Sequence, residues 1–296
     1  MTAGLDRAHR GTIFVEEAEV LSHHHLDGDQ HILRVQAPET AHHAQPGQFA
    51  HLRCHPLLPM RRPLSIMRTD ARKGWVEFLY KVVGEGTRLL AQRVPGERVN
   101  LMGPIGRPFT LLAERRQPLL VGGGVGIPPM VFLADAMRRA GGYAPFAVLG
   151  SEVPFPFRAR PSAFQVPGMP EGVIGAMPLL EDWGVASRLA SLQGYPGCFE
   201  GYVTALARLW LEALPEPARA QVAVYACGPH PMLEAVALLA GEFGLPCQVS
   251  LEEFMACAVG GCAGCTVRVR TPGGPAMKRV CVDGPVFDAA AVFGTD

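Results

Sequence analysis

The stretch CAVGGCAGC (residues 257–265) sets three cysteines among glycines and alanines, and a fourth, Cys281, follows after fifteen intervening residues. A segment of this composition buries little apolar surface, so its fold has to draw on something it wraps rather than on a core of its own. Cys257, Cys262, Cys265 and Cys281 give the spacing C-x4-C-x2-C-x15-C, whose opening is that of plant-type [2Fe–2S] ligation. Such a centre is dianionic or trianionic once its thiolates are counted. Gly260, Gly261 and Gly264 let backbone N–H groups approach its sulfurs. Structural zinc is the alternative metal, but zinc sites pair two short cysteine knuckles, and Cys281 has no close companion in the sequence.

Eight cysteines in a chain without a recognisable secretion signal point to a reducing compartment, where clustered thiols hold metal more often than they form disulfides. The opening MTAGLDRAHRGTIFVEEAEV lacks the apolar centre and the small-residue cleavage pattern of a signal peptide. No run approaches the roughly 18 apolar residues of a membrane span. Lys+Arg 27 balances Asp+Glu 27, which removes electrostatic steering toward nucleic acid or an anionic membrane. The expected setting is the cytoplasm. Cys54, Cys198, Cys227 and Cys247 stand singly and read as buried packing.

With 296 residues, 48% of them hydrophobic, the chain has room for two cores and a small appendage. Over residues 1–112, runs such as GTIFVEEAEVLS, HILRVQAPE, RRPLSIMR and WVEFLYKVV alternate β-branched or aromatic residues with polar ones. Turn signals DGDQ and QPGQ separate them, which predicts an antiparallel barrel or sandwich. Over 113–245 the rhythm changes. An apolar run (Pro118 to Val121), a glycine turn, a helical pattern and a second apolar run (Pro145 to Leu149) predict a βαβ unit and a parallel sheet. VAVYACGPHPMLEAVALLAGEFG repeats strand, tight turn and helix, whereas the proline-laden residues 153–172 read as an irregular excursion. The last segment, 246–296, carries the cysteines, the alternating run TVRVR and a PGG turn, and is expected to fold around its ligand.

An iron–sulfur centre passes single electrons, whereas metabolites mostly exchange hydrides. A flavin converts between the two, so the strand-rich region should hold a flavin site. RRPLSI offers Arg62 at the start of a strand to neutralise a pyrophosphate and Ser65 to hydrogen-bond the flavin edge; a plain barrel strand is the competing reading. LYKVVGEGT then supplies Gly84, Gly86 and Thr87 ahead of a helical run, a small-residue turn suited to phosphate. VGGGVGIPPM, with Gly122, Gly123, Gly124 and Gly126, opens a helix after a buried strand, where a nucleotide lies across a sheet's carboxyl edge; tight packing is the alternative use of these glycines. CGPHPM, with Cys227, Gly228 and Pro229, is its companion turn, and Cys227 reads equally as a neighbour of a nicotinamide ring or as a small buried thiol.

In order along the chain, RPLS, GEGT, GGGVGIPPM, CGPHPM and the trailing cysteines resemble the ferredoxin–NADP reductase superfamily. SLEEFMACAVGGCAGC followed by RVCVDGPVF at the C-terminal end resembles the electron-transfer subunits of class 1B dihydroorotate dehydrogenases. The resemblance covers nearly the whole chain. It implies a β plus α/β architecture: an antiparallel FAD-binding barrel, a parallel-sheet domain for NAD, and a small [2Fe–2S] domain. It also implies a heterotetramer with an FMN-containing catalytic dehydrogenase subunit. By position, Arg62, Pro63, Leu64 and Ser65 would contact FAD, Leu79, Tyr80 and Lys81 would flank the flavin and its ribityl chain, and Gly86 and Thr87 would hold its pyrophosphate. Cys257, Cys262, Cys265 and Cys281 would ligate the cluster.

Three features depart from the family pattern or refine it. Leu64 stands where the wider superfamily carries an aromatic residue. The proline-rich segment and MPLLEDWGVASRLASLQGYPGCFEGYVT do not match the pyrimidine subunit. Glu152, after LGS, stands where a 2′-phosphate would need a basic residue, and so favours NAD over NADP. The triple histidine at His23 to His25 reads as a solvated strand end rather than a metal site, and Glu252 with Glu253 as a solvent-exposed pair. Two other functions compete: a reductase for a hydrogenase-, glutamate-synthase- or oxygenase-type partner, and a zinc-stabilised nucleotide-binding module without redox activity.

Overall fold

The computed structural model describes residues 11–294. Alternating burial along β1 (Phe14–Leu26) and β2 (Gln30–Gln36) turns one face of this hairpin inward, and four further strands complete a closed barrel. These are β3 (Phe49–Arg53), β4 (Arg62–Asp70), β5 (Trp75–Lys81) and β6 (Arg98–Ile105), in the order β1-β2-β5-β4-β3-β6. Closure removes unpaired edges. Val20, Leu33, Leu52, Ile66, Phe78 and Leu101 fill the interior, each fully buried aliphatic or aromatic side chain contributing about 1.5–3 kcal/mol. Two short helices, α1 (Pro38–His43) and α2 (Glu85–Ala91), lie between barrel strands.

The hairpin of β1 and β2 refines the reading of the triple histidine: His24 and His25 are exposed near the strand end, as expected, and His23 is half-buried. β1 runs through all three residues to Leu26 rather than ending at them. The His31 ring lies 5.3 Å from the Tyr80 ring and nearly parallel to it. The Tyr80 hydroxyl meets His23 Nε2 at 2.9 Å while His23 Nδ1 meets the Arg93 carbonyl at 2.7 Å. A carbonyl only accepts, so Nδ1 carries the proton and the Tyr80 hydroxyl donates to bare Nε2. His23 and His31 pack the end of the barrel. Among the described residues no three His, Cys, Asp or Glu side chains close around a single point, so these histidines form no metal site and the cysteines meet only in twos.

After residue 112 the chain follows the predicted βαβ rhythm: β7 (Leu119–Gly123), α3 (Ile127–Ala140) and β8 (Phe146–Gly150). The excursion holds only the two-residue pair β9 (Arg160–Pro161) and β10 (Gly175–Ala176), ahead of α4 (Pro178–Asp182). Then come β11 (Ala186–Ser191), β12 (Phe199–Glu200), α5 (Val203–Ala213), α6 (Glu216–Arg219), β13 (Val224–Cys227), α7 (His230–Glu242) and β14 (Cys247–Ser250). The sheet order is β12-β11-β8-β7-β13-β14-β17, where β17 (Val286–Asp288) adds antiparallel to β14. Within β7, Leu119 and Val121 pack on the α5 and α7 side, and Leu120 packs on the α3 side with Met130 and Leu133. Such burial on both faces is why these strands read as continuous apolar runs.

The remaining C-terminal elements are the hairpin β15 (Thr266–Thr271) and β16 (Gly274–Arg279), and α8 (Ala289–Phe293). This region has packing beyond its ligand loop: Ala258, Cys265, Val280, Cys281 and Ala289 join the same apolar cluster as Val224, Val249 and Leu251 of the sheet. Among the described residues no helix is long and apolar enough to cross a membrane. Cys54, Cys227 and Cys247 are buried as expected, whereas Cys198 is only half-buried on a surface turn.

Candidate functional site: a cysteine loop, a flavin patch and a nucleotide crevice

The four cysteines converge as two pairs. Cys257 Sγ lies 3.3 Å from Cys262 Sγ, and Cys265 Sγ lies 3.3 Å from Cys281 Sγ. The loop curls through positive φ at Ala258 (56°), Gly260 (81°) and Ala263 (55°), which turns its backbone N–H groups inward. The Cys262 N–H donates to Cys257 Sγ, and the Gly264 N–H to Cys262 Sγ, each at 3.4 Å. Burial raises the Cys257 thiol, but N–H donors from Val259, Cys262 and Gly261 outweigh it and bring the group down to about 7. Cys281 is pushed up to about 12 by burial and by the adjoining Cys265.

This donor set fits a binuclear cluster, which takes two cysteines per iron, better than a single zinc ion, which requires four donors around one point. The pairs are held unequally. Cys265 and Cys281 are buried, and the Val280 N–H donates to the Cys265 carbonyl at 2.9 Å. Cys262 is exposed, as are Phe254 and Val259 of the same segment.

On the barrel, the pairing of Ile66 with Phe78 sets the start of β4 beside the end of β5, so residues 62–65 and 79–81 form one patch. Leu64 and Tyr80 point into the barrel interior, whereas Leu79 packs outside it. Tyr80 can therefore flank a ligand only through its backbone. Pro63, Ser65 and Lys81 are half-buried at the patch. The Arg62 guanidinium lies across Gly86, where an added Cβ would stand 2.6 Å from Nε. Among the described residues no carboxylate pairs with Arg62. Its Nη1 donates to the carbonyls of Met60 and Arg61, at 3.0 and 3.1 Å. Thr87 closes the turn: its hydroxyl accepts from Val83 N–H at 3.0 Å and Gly84 N–H at 3.2 Å and donates to the Gly84 carbonyl. A cation without an acidic partner beside the glycines of this turn fits a pyrophosphate.

The nucleotide motifs meet at the sheet's C-terminal edge. The chain runs outward from β7 to β8 and β11, then returns to β13 on the other side, so the strand order reverses between β7 and β13. Gly122 pairs with Cys227, and Cys227 with Ser250. The glycines bring the two turns together. A Cβ on Gly126 would overlap the Cys227 carbonyl, and one on Gly123 would lie 2.5 Å from Met232 Sδ. Gly228 likewise admits the Met232 methyl group. Gly124, at φ 55°, faces open space. Cys227 has no exposed surface, and burial, with the Glu252 carboxylate nearby, pushes its thiol well above the ordinary value. Pro229 forms the N-cap of α7, and Glu152 is exposed just beyond β8.

Beside half-buried Glu253, Glu252 is exposed, as the sequence suggests. It reaches solvent on the wall of a cleft of about 400 Å³, shared with Gly228, Pro229, His230, Glu253 and Arg268. Desolvation by the surrounding cleft atoms holds its carboxyl above the usual range. A single glutamate after a strand gave no sequence signal for this placement.

Residues 252–293 match the family model described as the iron–sulfur cluster binding domain of dihydroorotate dehydrogenase B. A relative from Desulforamulus reducens named dihydroorotate dehydrogenase B (NAD(+)), electron transfer subunit, is 34% identical over 92% of this chain and 96% of its own length. A protein of the same name from Geobacillus thermodenitrificans is 36% identical over 84% of this chain and 86% of its own length. Among solved structures, an NADH-dependent reduced ferredoxin–NADP oxidoreductase superposes with a TM-score of 0.73 at 27% identity, over 94% of this chain and 90% of that one. Phthalate dioxygenase reductase shares the fold, with a TM-score of 0.56 at 15% identity over 90% of this chain and 76% of that one. The chain belongs to the family of dihydroorotate dehydrogenase B electron transfer subunits.

Proposed function

We propose that this chain passes electrons between NAD(H), FAD and a [2Fe–2S] cluster in exchange with a separate, FMN-containing dihydroorotate dehydrogenase subunit. The observation that carries the reading is the double pairing of cysteine thiols on a loop rich in N–H donors, attached to a sheet that also presents two nucleotide-type turns. In this reading residues 1–112 serve FAD, 113–245 serve NAD, and 246–296 carry the cluster. Bound FAD supplies the exchange between two-electron hydride chemistry and one-electron transfer.

The chain's own residues bind and orient. Arg62 neutralises the FAD pyrophosphate, and Gly86 and Thr87 keep the adjoining turn narrow enough to approach it. Ser65 presents its hydroxyl at the flavin edge, Pro63 and Leu79 offer apolar contact, and Leu64, Tyr80 and Lys81 contribute through the strand backbone. Gly122, Gly123, Gly124, Gly126, Gly228 and Pro229 shape the crevice for the pyridine nucleotide. Cys227 supports that crevice from below, and Glu152 accepts from a ribose hydroxyl. Cys257, Cys262, Cys265 and Cys281 ligate the irons, with exposed Cys262 on the side turned to the partner. A heterotetramer in the cytoplasm is the proposed working form.

The test is anaerobic purification followed by assay of flavin, iron and acid-labile sulfide, with paramagnetic resonance after dithionite reduction. A brown protein with all three components and a reduced-cluster signal is expected. Colourless protein containing zinc would end the reading. The likeness to the ferredoxin–NADP oxidoreductase favours a second reading, in which the same cofactors serve a different redox partner. Capture of an FMN-containing dehydrogenase that oxidises dihydroorotate would decide for the first.

A further inference from the structure

A continuous set of backbone and side-chain contacts joins the flavin patch to the cysteine loop. Phe49 pairs with Ser65 on one side and with Ile105 on the other. Next to this row, the Ile66 N–H donates to the Gln48 carbonyl at 3.2 Å, and Gln48 Nε2 donates to the Gly106 carbonyl at 2.6 Å. The following residue, Arg107, donates its N–H to the Gly284 carbonyl at 2.6 Å, and the Leu251 N–H donates to the Pro285 carbonyl at 2.9 Å. Barrel, nucleotide sheet and cluster segment therefore all meet on residues 284–286.

From that junction the path continues into the loop. Asp283 accepts from the Arg279 N–H at 2.9 Å, and the Arg279 guanidinium donates to the Gly260 carbonyl at 3.1 Å. Gly260 lies between Cys257 and Cys262, and Pro285 lies four residues beyond Cys281.

Two glycines make the approach possible. Gly106, at φ 92°, presents its bare α-carbon to Pro285; a Cβ there would overlap Pro285 Cδ and lie 2.9 Å from the Gly284 oxygen. At Gly47, φ 95°, a Cβ would lie 2.8 Å from Val286 Cγ2 and 2.9 Å from the Phe109 ring. A side chain at either position would wedge the barrel away from the cluster segment.

We propose that Gln48, Gly106 and Pro285 are positioning residues forming a strut that fixes the distance from the flavin patch to the cluster loop, and so governs electron exchange between the two. The inference rests on the assignment of FAD and cluster given above. The chain's part is purely geometric: the strut holds two sites at one separation while nicotinamide and partner come and go.

Gln48→Ala removes the side-chain bond to Gly106 without strain, and Gly106→Ala adds the wedge. In the full chain carrying its cofactors, both should keep wild-type flavin and iron contents and bleach flavin with NADH at the wild-type rate. Cluster reduction, followed optically in the same sample, should slow by on the order of tenfold or more in Gly106→Ala and less in Gln48→Ala. Hydrogen exchange at the Arg107 amide should rise in both. The inference is overturned if cluster reduction keeps pace with flavin bleaching while the Arg107 amide has lost protection. Loss of flavin or iron from both variants would also overturn it, because the contacts would then build the sites rather than space them. Wild-type protein lacking flavin or iron would instead sink the underlying assignment.

Discussion

Arg62 and Cys262 are the residues on which the proposed chemistry is most directly testable. Arg62 lies over Gly86 with no acidic partner among the described residues, so Arg62→Ala removes a charge-assisted contact of about 1.5–3 kcal/mol. FAD affinity, measured by fluorescence titration, should fall about 10- to 100-fold, while the barrel keeps its thermal stability. Cys262→Ser should lower the iron content and abolish the reduced-cluster signal, with FAD still bound, because the flavin patch shares no residue with the loop. A pH prediction follows from two histidines. His31 is lowered from 6.5 to about 4 by burial and by neighbouring His23 and His25. His51 is lowered from 6.5 to about 4 by burial and by Arg61 and Arg62, and neither of its ring nitrogens has a partner among the described residues. Both stay neutral in the fold, so the unfolded chain binds more protons between pH 6.5 and 4. Their contribution to stability is complete above 6.5 and drains away as the pH falls toward 4. Melting temperature should decline across that window, and His51→Leu should make the decline shallower.

At the scale of elements, β5 carries the clearest stability prediction. Glu77 is buried at 2% exposure between Arg34 and Arg68, at 2.7 and 2.6 Å, and the guanidinium of Arg34 lies over Trp75. Glu77→Leu leaves two facing cations without their shared anion. The partly exposed arginines soften the cost to about 2–3 kcal/mol, readable as a lower urea midpoint, and Glu77→Gln should cost less. How far such elements could be foreseen varied with their periodicity. The barrel strands, β7, α3, β13 and α7 announced themselves by alternation, glycine turns and helical spacing. β11 did not, because ASRLAS carries a buried arginine and two buried serines, and Arg188 is accommodated by the carbonyls of Ser187 and Phe164, with the Glu181 carboxylate nearby. Within the triple histidine only His23 departs from the solvated reading, for a related reason: a polar ring packs inside only when partners far along the chain, here Tyr80 and Arg93, receive it. The cysteine spacing was legible because the chemistry of iron, rather than packing, sets it. The inward aim of Tyr80 and the cleft around Glu252 depend on register and on contacts between distant segments, which no local pattern encodes.

For the molecule as a whole, assembly and separability are the questions of interest. Phe254 and Val259 are exposed on the same segment as exposed Cys262, so a charge at Phe254, as in Phe254→Asp, should weaken capture of the dehydrogenase partner in a pull-down without changing iron content. Separability turns on β17. The seven-stranded sheet ends on one side in the two-residue β12 and on the other in β17, which is contributed from beyond the last cysteine and lies along β14. The cysteine segment is thus sewn into its neighbour by its own tail. It cannot be excised as a cassette or grafted onto another reductase at the residue where its motif begins. Cutting there would bare the hydrogen-bonding flank of β14 and invite it to recruit strands from other copies. Any attempt to transplant the electron carrier must take the final strand's host sheet along with it.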